Sequence, residues 1–146
     1  MSDLDKLFEE EEKIHRSVRE IAQALLDLSD FVLAKSPMEL ASAEVAGKRI
    51  RKACDSINDE VHIARKKIGI LLSDSTKVKF KKGDKVLTDM EDELSLVHGD
   101  VESIGSIALQ FYKSNDRNAA FKNLNKQYAD LVKNITNLLV SKSQVR

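Results

Sequence analysis

The chain has 146 residues, 42% of them apolar and 33% charged, and its 24 basic side chains balance 24 acidic ones. That is the length of one domain with one core; the composition excludes an unfolded polar tract, and no apolar run approaches the ~18 residues that cross a bilayer. Zero net charge removes the global field that draws a protein to nucleic acid or anionic lipid. One domain over residues 1–146 is expected. It should reside in the cytoplasm, because Cys54 is the only cysteine and the acidic run Glu9 to Glu12 is the opposite of a secretion leader.

One proline and five glycines leave few places to break a helix. The first helix is predicted from Asp3 to Lys35. Ser36-Pro37-Met38-Glu39 then combines an N-cap serine, proline at the first helical position and glutamate at the third, a reciprocal capping box that starts a second helix, Pro37 to Leu72. Thr88-Asp89-Met90-Glu91 repeats the box and predicts a third helix, Asp89 to Tyr112, so Ser73 to Leu87 is expected to be a long basic loop. Ser114, Asn115 and Asp116 offer caps for a fourth helix, Asp116 to Ser141.

Apolar residues within each segment alternate three and four apart, the spacing of a seam that faces a neighbouring helix. The first helix supplies Ile14, Val18, Ile21, Leu25, Leu28 and Val32, and the second runs from Leu40 through Ile50, Cys54 and Val61 to Leu71. The third contributes Leu87 to Phe111, and the fourth Phe121, Leu124, Tyr128, Leu131, Ile135 and Leu138. The fold class is therefore all-α, an antiparallel up-down-up-down four-helix bundle. Net charge alternates along the chain, −4 over 1–36, +5 over 37–87, −5 over 88–114 and +4 over 115–146, so neighbours in a square bundle are opposite in sign. Gly47 in mid-helix costs about 1 kcal/mol relative to alanine, and close approach of another helix is the expected reason.

Chemistry-bearing residues are sparse. Glu12-x-x-His15 and Asp59-x-x-His62 have the spacing of di-metal ligands in helical bundles, but with Glu11, Cys54, Val61 and Leu94 at seam position a, His15 and His98 fall at e and His62 at b. These residues then flank the core instead of converging in it, so no metal is expected, and no cofactor or small-molecule motif is present. A helical histidine on a bundle surface is also what a histidine phosphotransfer domain uses. His62 is the first candidate phosphoacceptor, with Arg65 and Lys66 one turn later to stabilise a phosphoryl group, although they stand where such domains usually carry lysine and glycine. His15, followed by Arg16, Val18 and Arg19, loosely resembles a sensor-kinase histidine box, without a kinase nucleotide motif after it.

Two charge runs remain, Glu9 to Glu12 and the lysines Lys77, Lys79, Lys81, Lys82 and Lys85. They are expected to pair at one end of the bundle, with Phe80 covering Leu4, Leu7 or Phe8. The alternative is a basic patch for nucleic acid or anionic lipid, which the 5% aromatic content does not favour. Apolar residues outside the seams are more informative. Leu26 and Leu33 lie seven apart on the first helix, and Leu96 and Ile107 share a face of the third, which suggests partner binding or self-association. The leading expectation is a non-enzymatic interaction or adaptor module that binds a protein partner through helix surfaces. A phosphotransfer domain is the alternative.

Overall fold

The computed structural model of the chain describes the backbone of residues 3–73 and 81–145, and it is all-α. Four helices follow in order: α1, Asp3–Ser29; α2, Pro37–Ser73; α3, Lys81–Gln110; and α4, Arg117–Val145. A 3-10 turn, Phe111–Lys113, closes α3, and no strand occurs among the described residues. No described helix is long and apolar enough to cross a membrane.

The helix starts follow capping chemistry at two of the predicted sites. Ser36 Oγ accepts the Glu39 amide at 3.1 Å while Glu39 Oε1 accepts the Ser36 amide at 3.3 Å, which satisfies two orphan donors at the head of α2. Asp116 Oδ1 accepts the Ala119 amide at 3.0 Å and caps α4. Thr88 is not a cap. Helix α3 begins at Lys81 instead of Asp89, so Lys81, Lys82 and Lys85 belong to its first turns and the basic loop expected over Ser73 to Leu87 is not formed there. The reason lies in packing: Leu87 is buried, one turn before buried Met90, and burying both on one face requires a helix that starts earlier. Lysine's good helix propensity offsets Gly83 in that stretch.

Helix α1 also departs from expectation, ending at Ser29 and not at Lys35. Residues 30–33 form tight turns, with the Phe31 amide donating to Leu28 O at 2.9 Å and the Ala34 amide to Phe31 O at 3.1 Å. The Arg117 guanidinium of α4 donates to Val32 O at 3.3 Å and to Ala34 O, so this turn is held against the start of α4.

All four helices contribute to one apolar cluster, built from the predicted seams and from alanines that periodicity alone did not assign, Ala24, Ala46 and Ala53. Consecutive helices pack along one another, while α1 and α4 touch more sparingly. Partners run in opposite order along the two helices of each pair. Asp27 and Glu10 of α1 meet Arg49 and Lys67 of α2, at 2.9 and 3.2 Å. Glu102 and Glu91 of α3 meet Asn58 and Arg65 of α2, and Asp100 and Glu93 meet Asn134 and Ser141 of α4. Among the described residues, each ion pair between helices joins an acidic segment, α1 or α3, to a basic one, α2 or α4, as the alternating charge predicts.

Gly47 is fully enclosed, and a Cβ there would collide with the carbonyl oxygen of Ala108 on α3. The obstacle is backbone, which cannot swing aside as a side chain can. Gly47→Ala should therefore destabilise the fold by about 1–3 kcal/mol, the scale of overpacking, despite alanine's better helix propensity. Denaturant titration checks this; unchanged or raised stability would contradict the close approach.

Candidate functional site

The seam between α1 and α4 carries a buried cluster of charged side chains. Glu11 occupies a core-facing position of α1 and is 2% exposed. An ionised carboxylate cannot be buried there without partners, and two converge on it. Lys142, from the last turns of α4, donates to Glu11 Oε2 at 2.9 Å, and His15, one turn along α1, is hydrogen-bonded through Nε2 to Glu11 Oε1. Burial pushes the Glu11 carboxyl up, but the hydrogen bonds from His15 and Lys142, with their charges, outweigh it and hold it below the usual carboxylate range. An ionised carboxylate only accepts, so Nε2 of His15 carries the donated proton. The Phe8 ring supports the Lys142 ammonium from 5.2 Å.

Neighbouring Glu10 is also buried, its Oε1 shared between Lys67 at 3.2 Å and Lys13 at 3.5 Å, while Oε2 has no hydrogen-bond partner. Glu10 and Glu11 thus tie helices together, but their described partners are on α1, α2 and α4 and not among the lysines expected to pair with the acidic run. Of the residues expected to meet it, Lys77, Lys79 and Phe80 lie outside the described residues, as do the side chains of Lys81 and Lys82, and Lys85 is exposed on α3.

Beside the Glu11 cluster a cleft of about 400 Å³ opens to solvent, lined by Glu12, His15, Arg16, Arg19, Leu139 and Lys142. Arg16 and Arg19 are exposed, and neither forms an ion pair among the described residues. Further along the same seam an apolar trough of about 300 Å³ is lined by Ala22, Leu26, Ser29, Phe121, Asn125 and Tyr128. Phe121 and Tyr128, predicted as seam residues, are only half-buried because α1 does not close over them.

The candidate residues scatter. His15 is half-buried beside the cleft, not a solvated rim residue, because α4 lies alongside it. His62 is exposed on α2, next to exposed Arg65 and Lys66, and His98 Nδ1 meets Asn58 Oδ1 at 2.9 Å on the α2–α3 surface. No cluster of three or more His, Cys, Asp or Glu suited to a metal occurs among the described residues. Cys54 is buried in the core and its thiol is pushed up to about 12, mainly by burial, so it is a poor nucleophile. Leu26 is 67% exposed and faces the trough, but Leu33, 83% exposed, sits in the turn after α1 and shares no helical stripe with it. Leu96 is exposed on α3, whereas Ile107 is half-buried against the core in a shallow depression between α3 and α4.

In the sequence, Glu11 stands at seam position a, and the signal of its role is a carboxylate at a core position with a histidine four residues later. No family model, curated protein or solved structure matches the chain.

The carboxyls make opposite contributions to stability as pH changes. Glu11 is held low, so its contribution is complete above its unfolded pKa and lost as pH falls through the depressed folded value. Glu93 and Asp100 are raised, mainly by burial, so acidification from neutral pH first relieves them. Stability should rise as pH falls towards the ordinary carboxylate range, where Glu93 and Asp100 take up protons and their contribution levels off, and decline below it as Glu11 protonates. Glu11→Gln should cost about 1.5–3 kcal/mol at neutral pH, the scale of hydrogen bonds to a charged group, and the gap to wild type should close as Glu11 protonates. Denaturation midpoints across pH 2 to 8, ~0.5 apart, measure this; a gap independent of pH would contradict the assignment.

Proposed function

We propose that the chain is a single up-down-up-down four-helix bundle acting as a non-enzymatic interaction module, which binds a protein partner through its helix surfaces. The observation that carries the reading is the α1–α4 seam, where apolar Leu26 stands exposed beside half-buried Phe121 and Tyr128 instead of being covered by the chain's own packing. Exposed large apolar residues in a trough are what a partner helix buries. The opposite order of partners along each helix pair supports the bundle topology. Many of the polar groups near this seam are engaged in holding helices together: Glu11 and Lys142 clamp α1 to α4, and Arg117 ties α4 to the turn after α1.

A second reading has one observation in its favour. His15 lies in a cleft with Arg16, Arg19 and Lys142, and its Nε2 is anchored on Glu11, which leaves Nδ1 as the nitrogen that can accept a phosphoryl group. The cations would then stabilise the phosphohistidine. His62 has flanking cations but no cleft.

Two measurements separate these readings. For the interaction module, cross-linked purification from the native source should retain a stoichiometric protein with wild type and lose it with Leu26→Glu or Leu96→Glu, while the helical spectrum and melting stay unchanged. A set of bound proteins indifferent to helix-face substitutions would contradict it. For phosphotransfer, phosphoramidate should deposit acid-labile phosphate on wild type and on His62→Gln but not on His15→Gln, and an unlabelled wild type would remove that reading.

A further inference from the structure

We propose that the α1–α4 seam is a receptor groove for one amphipathic α-helix of a protein partner, whose apolar side chains pack on Leu26, Phe121 and Tyr128 and whose carboxylates meet Arg16 and Arg19. The proposal rests on the interaction-module reading and names the surface that module uses. Its starting point is how this seam is held. Polar contacts pin it at both ends, Lys142 with Glu11 at one and Arg117 with the carbonyls of Val32 and Ala34 at the other. Along this seam α1 and α4 pack more sparingly than the consecutive helices do. The cleft and the trough follow one another along α1, where Arg19 lines the first and Ala22 the second.

The α1 wall is a helical stripe. Positions 12, 15, 19, 22, 26 and 29 recur three and four apart, with Arg16 beside His15, and on α4 Phe121, Asn125 and Tyr128 line the trough while Leu139 and Lys142 line the cleft. From Glu11 to Ser29 the stripe is roughly 27 Å long by the helical rise, room for a helix of about 18 residues. A trough between two helices that run in opposite directions is the shape into which the ridge of another helix fits.

Charge complementarity identifies the occupant's chemistry. At the cleft end Glu11 is already engaged by His15 and Lys142, which leaves exposed Glu12 as the other carboxylate among the described residues that line the cleft, and Glu20, one turn from Arg16, pairs with Arg49. Neither arginine has an ion pair among the described residues, and an arginine pair one turn apart presents forks suited to carboxylates. At the other end the lining is apolar and aromatic. Leu26 and Arg19 are two turns apart, roughly 10 Å, so the partner helix should carry its apolar anchors about two turns from its acidic residues. A second copy of this chain does not supply such a helix: its own acidic helices, α1 and α3, already bury their apolar stripes in the core.

The test is a display selection of helix-forming peptides of about 18 residues against the wild-type protein at low salt, followed by fluorescence anisotropy with the selected peptides. The expected peptides pair apolar anchors with Asp or Glu about two turns away. Their Kd should weaken at least about tenfold with Leu26→Glu and with the double change Arg16→Glu and Arg19→Glu, and Leu96→Glu should have no effect. All these positions are exposed, so folding is retained, and helical spectra check it. A peptide with lysines in place of its acids should lose wild-type binding and regain it on the doubly reversed protein, a rescue that a general loss of stability cannot produce. Peptides that bind but ignore the groove substitutions would overturn the groove and leave the interaction module standing. No selected peptide, together with a captured native partner that depends on Leu96, would do the same; no peptide and no partner would overturn both. A wild-type dimer that Leu26→Glu dissociates would put a second copy in the groove and overturn the partner helix.

Discussion

Glu11 cannot remain ionised in the interior unless a cation is brought to it, and the nearest one outside α1 is on the last turns of α4. The arrangement of the fourth helix follows from that requirement. Lys142 must reach Glu11 from α4, His15 must turn its Nε2 inward, and the Phe8 ring lies under the ammonium. With Arg117 bound to the turn after α1, both ends of α4 are tied to the first helix. A buried pair of this kind contributes less through its own attraction than through the cost of leaving either member alone.

The apolar contacts of α4 complement these pins. Its fully buried leucines, Leu124, Leu131 and Leu138, recur every seven residues and form a narrow stripe, while Phe121 and Tyr128 lie at its edge. A narrow stripe can pack closely on one neighbour, and α3 takes that place. The α1 side is left with pinned ends and an open middle. On the other side of the molecule the opposite holds, since the enclosed Gly47 brings α2 and α3 to backbone contact at Ala108. The furrow and the closely packed wall are thus consequences of where the chain places small and large residues.

Much of this could be read from the residues. The Ser36 capping box, the seam positions from Ile14 to Leu138, the alternating charge and the packing role of Gly47 rest on local rules that tertiary structure left intact. The errors have particular physical causes. Thr88 looks like a cap because Asp89 and Glu91 follow it, but Leu87 needs a helical turn before it to reach the core. Leu33 keeps the heptad spacing from Leu26, yet the chain leaves α1 after Ser29 through i−3 turns, and Arg117 holds that turn from α4. His15 sits at a flanking position whose exposure depends on which helix lies beside it, and α4 is more than a hundred residues away in the chain. The candidate groove joins residues from both ends of the sequence, so only the fold could bring them together.

The most direct test of this account is a double-mutant cycle on the clamp, with Glu11→Gln, Lys142→Met and the pair measured by equilibrium denaturation at neutral pH. If the carboxylate and the ammonium hold α4 to α1, each single change should cost more than the second change made in the presence of the first, with a coupling of about 1–3 kcal/mol. Additive effects, to within about 0.3 kcal/mol, would mean that the two groups do not act on each other and that something else closes the α1–α4 seam.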